Sequence, residues 1–335
     1  MKTWRAETRW VAVSAAATAL LLCAAVLALG HSPIEIFSMI GSQVLGDRYA
    51  LGQILYKATM LIFTGLGCAL AFRCGLFNIG AEGQLYVGAF LMTFAALHMP
   101  ASPAIVLLPL CLIIAAAGGG AWALLPAYLK AKRGAHEVIT TMMMNFIALA
   151  GTNYLISAHF HMPETIHTAE ITAGAWLPAL PMKGSAVNAS LFIALALSAL
   201  VRYFLWSTPM GFELRAVGAN AEAARTSGVP VDKRIFQILL LSGALSGMSG
   251  ISFILGYKHY FEQGFASSAG FMGIAVALVA KNNPIGVVFS ALLFAFLSQT
   301  GLTLNRVIPR ELFEIMQGAV IFIVIICQNR LGAKD

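Results

Sequence analysis

The chain has 335 residues, of which 59% are hydrophobic and only 10% charged, with a mean hydropathy of +0.82. A soluble domain carries roughly 25% charged residues, so this composition excludes a soluble enzyme and predicts an all-α polytopic membrane protein, a single membrane domain over 1–335. The net charge of +7 comes from basic residues scattered between apolar runs, which marks membrane topology rather than a nucleic-acid surface.

Lys2, Arg5 and Arg9 precede an apolar run over 10–30. At about 20 residues this run exceeds the 7–15 of a signal-peptide core, so it predicts an uncleaved first span, although Ala28-Leu29-Gly30 has the look of a cleavage site. Further runs predict spans over 50–72, 83–99, 103–128, 138–157, 189–206, 235–256, 265–280, 284–303 and 312–328. With about ten spans and the N-terminus inside, Arg48, Lys57, Lys183, Lys258, Arg306 and Arg310 fall outside, and the other basic residues among the 21 fall inside. The positive-inside rule therefore places both termini in the cytoplasm. Spans 2–5 begin outside and spans 7–10 begin inside, the arrangement an inverted repeat produces, and Gln53-Ile54-Leu55 and Gln237-Ile238-Leu239 open the two blocks.

Between spans 2 and 3, residues 72–86 hold Gly75, Gly80 and Gly83 together with Asn78, Glu82 and Gln84. A carboxylate at the hydrocarbon centre costs about 2.5–3.5 kcal/mol on insertion scales, so Glu82 must face a cavity, pair, or sit at the boundary. Two readings stand: a broken helix at the translocation path or gate, or a cytoplasmic turn with Arg73 and Glu82 solvated. Span 5 carries Thr141 and Asn145 one turn apart on one face, with Asn153 two turns beyond. Such a polar stripe lines a path or bonds to neighbouring helices.

The outer loop, about 158–188, contains His159, His161 and His167, whose spacing is loose for a metal site and suits a solvated loop surface. The five cysteines lie in or beside apolar runs without metal-ligand spacing and read as packing residues. The cytoplasmic loop, about 207–234, is a polar island. Asn220 is placed to cap a helix, Gly228 to end it in a left-handed turn, and Pro230 to prevent its resumption. A helix of about two turns is marginal by itself in water, so it is expected to dock on a partner. In span 7, Ser242, Gly243, Ser246, Gly247, Ser249 and Gly250 permit close helix approach, as do Gly270 and Gly273 in span 8. No G-x-x-x-x-G-K-[ST], H-E-x-x-H or G-x-S-x-G motif occurs, so the chain is not expected to hydrolyse ATP or act as an enzyme.

Glu222-Ala223-Ala224, three residues, Gly228, nine residues and Ile238 resemble the E-A-A-x-x-x-G-x(9)-I loop of bacterial ATP-binding-cassette (ABC) importer permeases, with Leu241 where a proline is usual. Nearly the whole chain resembles the ribose/branched-chain-amino-acid type. It is most similar to nucleoside and simple-sugar members in the segments 75–84, 211–220 and 281–286. The resemblance implies coupling to the ATPase through the loop that holds Asn220, Glu222, Ala223, Ala224, Arg225 and Gly228; the polar residues Asn78, Glu82, Gln84, Thr141, Asn145 and Asn153 are the candidates for the translocation path or gate. It implies cytosolic ABC ATPases that carry the ATP and Mg, a second permease like or unlike this one, and an extracytoplasmic binding protein. The expected setting is the bacterial cytoplasmic membrane, with no cofactor or metal on this chain. A nucleoside is the expected cargo and a ribose-like sugar the alternative. The rival from another class is an ion-coupled secondary transporter with Glu82 as its ion site, which the E-A-A loop does not fit.

Overall fold

The structure, a computed structural model, describes residues 23, 26–27, 30, 32–99, 102–182, 184–309, 311–315, 317–319 and 321–323. Most of the predicted first span and the end of the tenth lie outside the described residues, as do Lys2, Arg5, Arg9, Lys183, Arg310, Cys327, Arg330 and Lys334. Regular structure among the described residues is helical, apart from two isolated bridges. They divide into two compact units: one gathers 56–181 and 186–291, the other the remaining described residues.

Helix α1 (Pro33–Met39), continued by a wider turn over Ile40–Leu45, occupies a segment the apolar runs leave as an outer loop. Helices α2 (Arg48–Arg73), α3 (Ala81–His98), α4 (Ala104–Trp122), α5 (Leu124–Arg133) and α6 (Glu137–Leu155) follow. Next come α7 (Ser190–Ser207), α8 (Pro209–Ala219), α9 (Ala221–Thr226), α10 (Val231–Gly247), α11 (Ala269–Val279) and α12 (Pro284–Thr303). Six helical stretches among the described residues are long and apolar enough to cross a membrane: 48–73, 104–133, 137–160, 190–207, 231–258 and 284–303. These coincide with predicted spans 2, 4, 5, 6, 7 and 9.

Two predicted spans differ. The helix at span 3 is there, with 18 residues covering about 27 Å, but most of it is buried and it falls outside the six apolar stretches. The predicted span 265–280 is corrected more strongly. Only Ala269–Val279 is helical, about 16 Å of rise against a hydrocarbon core of about 30 Å. Its first turn is replaced by Ser267 and Ser268 at φ 45° and 64°, a left-handed backbone that a helix cannot continue.

The larger unit has a core of close-packed helices. A Cβ on Gly88 would stand 2.5 Å from the Gly247 carbonyl oxygen, and one on Gly119 would stand 2.6 Å from the Gly247 Cα. Glycine at these places lets α3, α4 and α10 touch backbone to backbone, which is how helices associate where lipid removes the hydrophobic drive between them. Helix α6 is arranged polar side in: Glu137, Thr141, Asn145 and Thr152 are buried, whereas Ile139, Met143, Phe146 and Ile147 are exposed.

The predicted outer loop is not a loose surface. Thr168 N–H donates to Phe261 O at 2.9 Å, Ile171 N–H to His259 O at 2.7 Å, and Leu177 N–H to Leu255 O at 2.7 Å. Two stacked pairs lock the same contact, His167 on Tyr260 at 4.2 Å and Trp176 on His259 at 4.0 Å between ring centres. Among the described residues no three His, Cys, Asp or Glu side chains converge as a ligand set.

Candidate functional site

Helix α2 ends at Arg73 because Gly75 takes a left-handed conformation (φ 75°). Leu76 N–H then bonds back to Ala71 O at 3.1 Å and Gly75 N–H to Phe72 O at 3.1 Å, a paired helix stop that occupies two otherwise orphan carbonyls. The chain runs on without helix to Gly80, and Asn78 organises that segment. Its Oδ1 accepts from Gly80 N–H at 3.0 Å and from Gln84 Nε2 at 3.2 Å. Its Nδ2 donates to Gln84 Oε1 at 2.9 Å and to Ser242 Oγ at 2.7 Å. Ser242 in turn donates to Gly67 O at 2.6 Å. One amide thus ties the 74–80 segment to α2, α3 and α10.

Asn145 completes the arrangement from α6. Its Oδ1 accepts from Gly83 N–H at 2.8 Å, one of the orphan donors in the first turn of α3, and its Nδ2 donates to Ile79 O at 2.8 Å. Thr141 bonds only to its own helix, its Oγ1 donating to Glu137 O at 2.7 Å, but its Cβ lies where a side chain on Gly80 would stand, at 3.1 Å. Asn78 is 0% exposed, Glu82 4% and Gln84 1%, so Glu82 is not the solvated residue of a plain turn. Glu82 Oε2 accepts from Gly270 N–H at 2.7 Å, at the start of α11. A carboxylate there meets the unpaired amides and the positive end of the helix dipole. A Cβ on Gly270 would stand 2.7 Å from that Oε2 and closer still to the Glu82 backbone.

The other end of α11 fixes the depth of this contact. Arg73 Nε donates to Asn282 O and its terminal nitrogen to Lys281 O, both at 2.9 Å. The turn after α11 is therefore level with the end of α2, and about 16 Å of helix separates it from Glu82. The predicted site residues Asn78, Gln84, Thr141 and Asn145 come together, and Glu82 adjoins them through α3. Asn153 does not: its carbonyl accepts from Gln263 Nε2 at 3.2 Å, about 12 Å further along α6. In the sequence Ser242 reads as a packing residue of span 7. The signal available was a serine facing the same helix seam as the glycines.

The polar island holds two helices. Thr208 caps α8, its Oγ1 accepting from Gly211 N–H at 3.0 Å with Pro209 in the first helical position. Asn220 caps α9, its Oδ1 accepting from Ala223 N–H at 3.0 Å. Gly228 at φ 86° ends α9, with Val229 N–H bonding to Ala224 O and Gly228 N–H to Arg225 O, both at 3.0 Å. Glu222, Ala223 and Arg225 are exposed, whereas Ala224 is 5% exposed and turned into the chain itself. Arg225 pairs with Asp232 at 3.1 Å in the open, and Arg234 joins Glu213 of α8 and, at 2.7 Å, Gln237 of α10. The loop is thereby braced to the first turns of α10.

Helix α8 also abuts the end of α2. A Cβ on Gly218 would stand 2.9 Å from the Arg73 carbonyl carbon and 3.0 Å from that of Cys74, and Gly75 faces Gly218 from the other side. The island and the Asn78 segment are consequently in direct backbone contact. Among charged groups of the connecting segments, burial beside Trp176 holds the His259 imidazole below its ordinary range, partly offset by Glu170.

A family model described as the permease component of the branched-chain amino acid transport system matches residues 50–325. The chain is 37% identical over 305 residues to the guanosine ABC transporter permease protein NupP of Bacillus subtilis (strain 168), covering 89% of this chain and 87% of that one. It is 34% identical over 311 residues to the nucleoside ABC transporter permease protein NupB of Lactococcus lactis subsp. cremoris, covering 89% and 85%. It is also 32% identical over 314 residues to the glucose ABC transporter permease protein TsgB13 of Haloferax volcanii, covering 90% and 82%.

Proposed function

The chain belongs to the family of branched-chain amino acid transport system permease components, and from that premise we propose that it carries nucleosides inward across a bacterial cytoplasmic membrane. It is a multi-pass permease of an ABC importer and does not hydrolyse ATP itself. The nucleoside reading rests on one observation above the rest: similarity over 89% of the chain to a guanosine and a nucleoside permease. In this reading the chain pairs with a second permease, like or unlike, and receives cargo from an extracytoplasmic binding protein. Two cytosolic ATPases grip the exposed face of α9 at Glu222, Ala223 and Arg225, while Asn220, Ala224 and Gly228 hold that helix in shape.

Motion imposed on α9 passes to α10 through the Arg225–Asp232 pair, from α10 to α8 through the Arg234–Glu213 pair, and from α8 to the end of α2 at Gly218. Beyond that end lies the Asn78 segment, which we assign to the gate together with Glu82, Gln84, Thr141 and Asn145. Its polar groups satisfy one another, so opening it must exchange these bonds for bonds to cargo hydroxyls, base edges or water. Asn153, set apart from this network, belongs in the same reading to the outer part of the path.

A ribose-like or hexose sugar is the second reading, favoured by the similarity to the Haloferax glucose permease. The test is ATPase stimulation of the complete transporter across guanosine, adenosine, cytidine, ribose and glucose. Stimulation by nucleosides supports the proposal, and stimulation by glucose or ribose with none by nucleosides replaces it.

A further inference from the structure

Three guanidiniums surround one indole at the end of α7. The carbons of Arg73, Arg202 and Arg215 lie 5.2, 5.6 and 5.8 Å from the centre of the Trp206 ring. The ion pairs among the described residues are Lys130–Glu137, Arg225–Asp232 and Arg234–Glu213, so none of the three arginines has a carboxylate partner there. Arg73 and Arg215 are close enough for their charges to oppose each other. The attraction of a ring face for each cation, about 0.5–1 kcal/mol at an exposed site, does not remove that repulsion. Arg73 gives two and Arg215 one of five N–H donors to backbone carbonyls, which leaves most of the donors without an acceptor in the bonds of the described residues. Guanidiniums gathered in this way have the chemistry to bind an anion.

We propose that Arg73, Arg202 and Arg215, gathered on Trp206, bind the phosphate of an anionic phospholipid headgroup. The proposal rests on the chain being a membrane permease and is independent of what it carries. A lipid is favoured over an acidic face of a soluble partner by position. Helix α7 has 18 residues and about 27 Å of rise, close to the thickness of the hydrocarbon core. Arg202 lies five residues before its end, about 8 Å inside the span. Trp206 and Phe212, both exposed, lie against these guanidiniums, and exposed Tyr203 (61%) follows Arg202 in the chain, the mix of aromatic rings and cations found at headgroup level. Planar guanidiniums match phosphate oxygens in pairs, and basic pockets between membrane helices on the cytoplasmic side take anionic headgroups.

The experiment is native mass spectrometry of the full-length chain in detergent, titrated with phosphatidylglycerol or phosphatidylcholine. Phosphatidylglycerol is expected to bind selectively. Each lost guanidinium should weaken it about five-fold, so Arg202→Gln with Arg215→Gln should weaken it about 25-fold, while Arg202→Lys keeps most of the binding. The single change Arg202→Gln carries the test if the double variant does not fold, since Arg202 holds no backbone carbonyl among the bonds of the described residues. Excess inorganic phosphate should leave the lipid in place. Equal binding of both lipids, undiminished binding by the variants, or displacement by inorganic phosphate overturns the proposal. Loss of ATPase-subunit assembly with lipid binding intact overturns it too, in favour of a soluble partner.

Discussion

Replacing Gly218 by alanine tests whether the polar island and the Asn78 segment move as one. The added methyl would run into the Arg73 carbonyl oxygen, its nearest neighbour, and lie 2.9 Å and 3.0 Å from the backbone carbonyl carbons of Arg73 and Cys74, where carbons prefer about 3.5–4.0 Å. Backbone at a helix stop cannot swing aside as a side chain does, so α8 must withdraw by about 1 Å or more to clear the carbonyl oxygen. Forcing one methyl into such packing costs about 1–3 kcal/mol. If that contact transmits the stroke, ATP-driven uptake into proteoliposomes falls at least about ten-fold, equivalent to about 1.4 kcal/mol at the low end of that range, while ATP hydrolysis continues. Gly151→Ala is the control, because a Cβ there meets nothing within 4 Å and uptake should be unchanged. Wild-type uptake and wild-type thermal stability in Gly218→Ala would refute the reasoning.

Asn78→Ala leaves Gly80 N–H and the Gln84 amide without a buried partner, a loss of about 2–4 kcal/mol that thermal unfolding in detergent should show; Ser242→Ala should cost less, because the Asn78 amide keeps Gln84. Glu222→Lys is exposed, so its effect on stability should stay within about 0.5 kcal/mol while uptake is abolished; undiminished uptake would count against the contact assigned to α9. Gly228→Leu places a side chain at φ 86°, which should weaken the end of α9 by about 1–2 kcal/mol and reduce uptake without preventing membrane insertion, as flotation would check. Burial holds the His259 imidazole below its ordinary range, so its contribution to stability is complete above about pH 6.5 and declines as pH falls, when the unfolded chain takes up a proton that the folded chain resists. His259→Asn, which suits the left-handed backbone there, should flatten the acid limb of the melting profile; an unchanged acid limb would show that other groups set it.

The long helices were legible because apolar runs of spanning length have few alternatives, and the cap at Asn220 and stop at Gly228 were legible because their chemistry is local. Helix α8 carried an equally local signal in Thr208-Pro209, overlooked because the surrounding composition reads as loop. Helix α1 was missed in the same way, with Ser32-Pro33 at its start. The break before α11 was not legible. Ser267 and Ser268 take left-handed conformations that no residue preference announces, and the contact of Gly270 with Glu82 joins parts 188 residues apart. For the site, the density of glycines and amides over 75–84 marked the segment, but periodicity could not separate a path from a turn. Only the bonds from Ser242 and Asn145, contributed by distant helices, show how the segment is held.

The most direct measurement of the central claim is accumulation of labelled guanosine in proteoliposomes that hold the permease with its ATPase, companion permease and binding protein. Accumulation should require ATP on the side of α9 and be competed by other nucleosides but not by glucose. Accumulation driven by an ion gradient without ATP, or uptake of glucose alone, would contradict it.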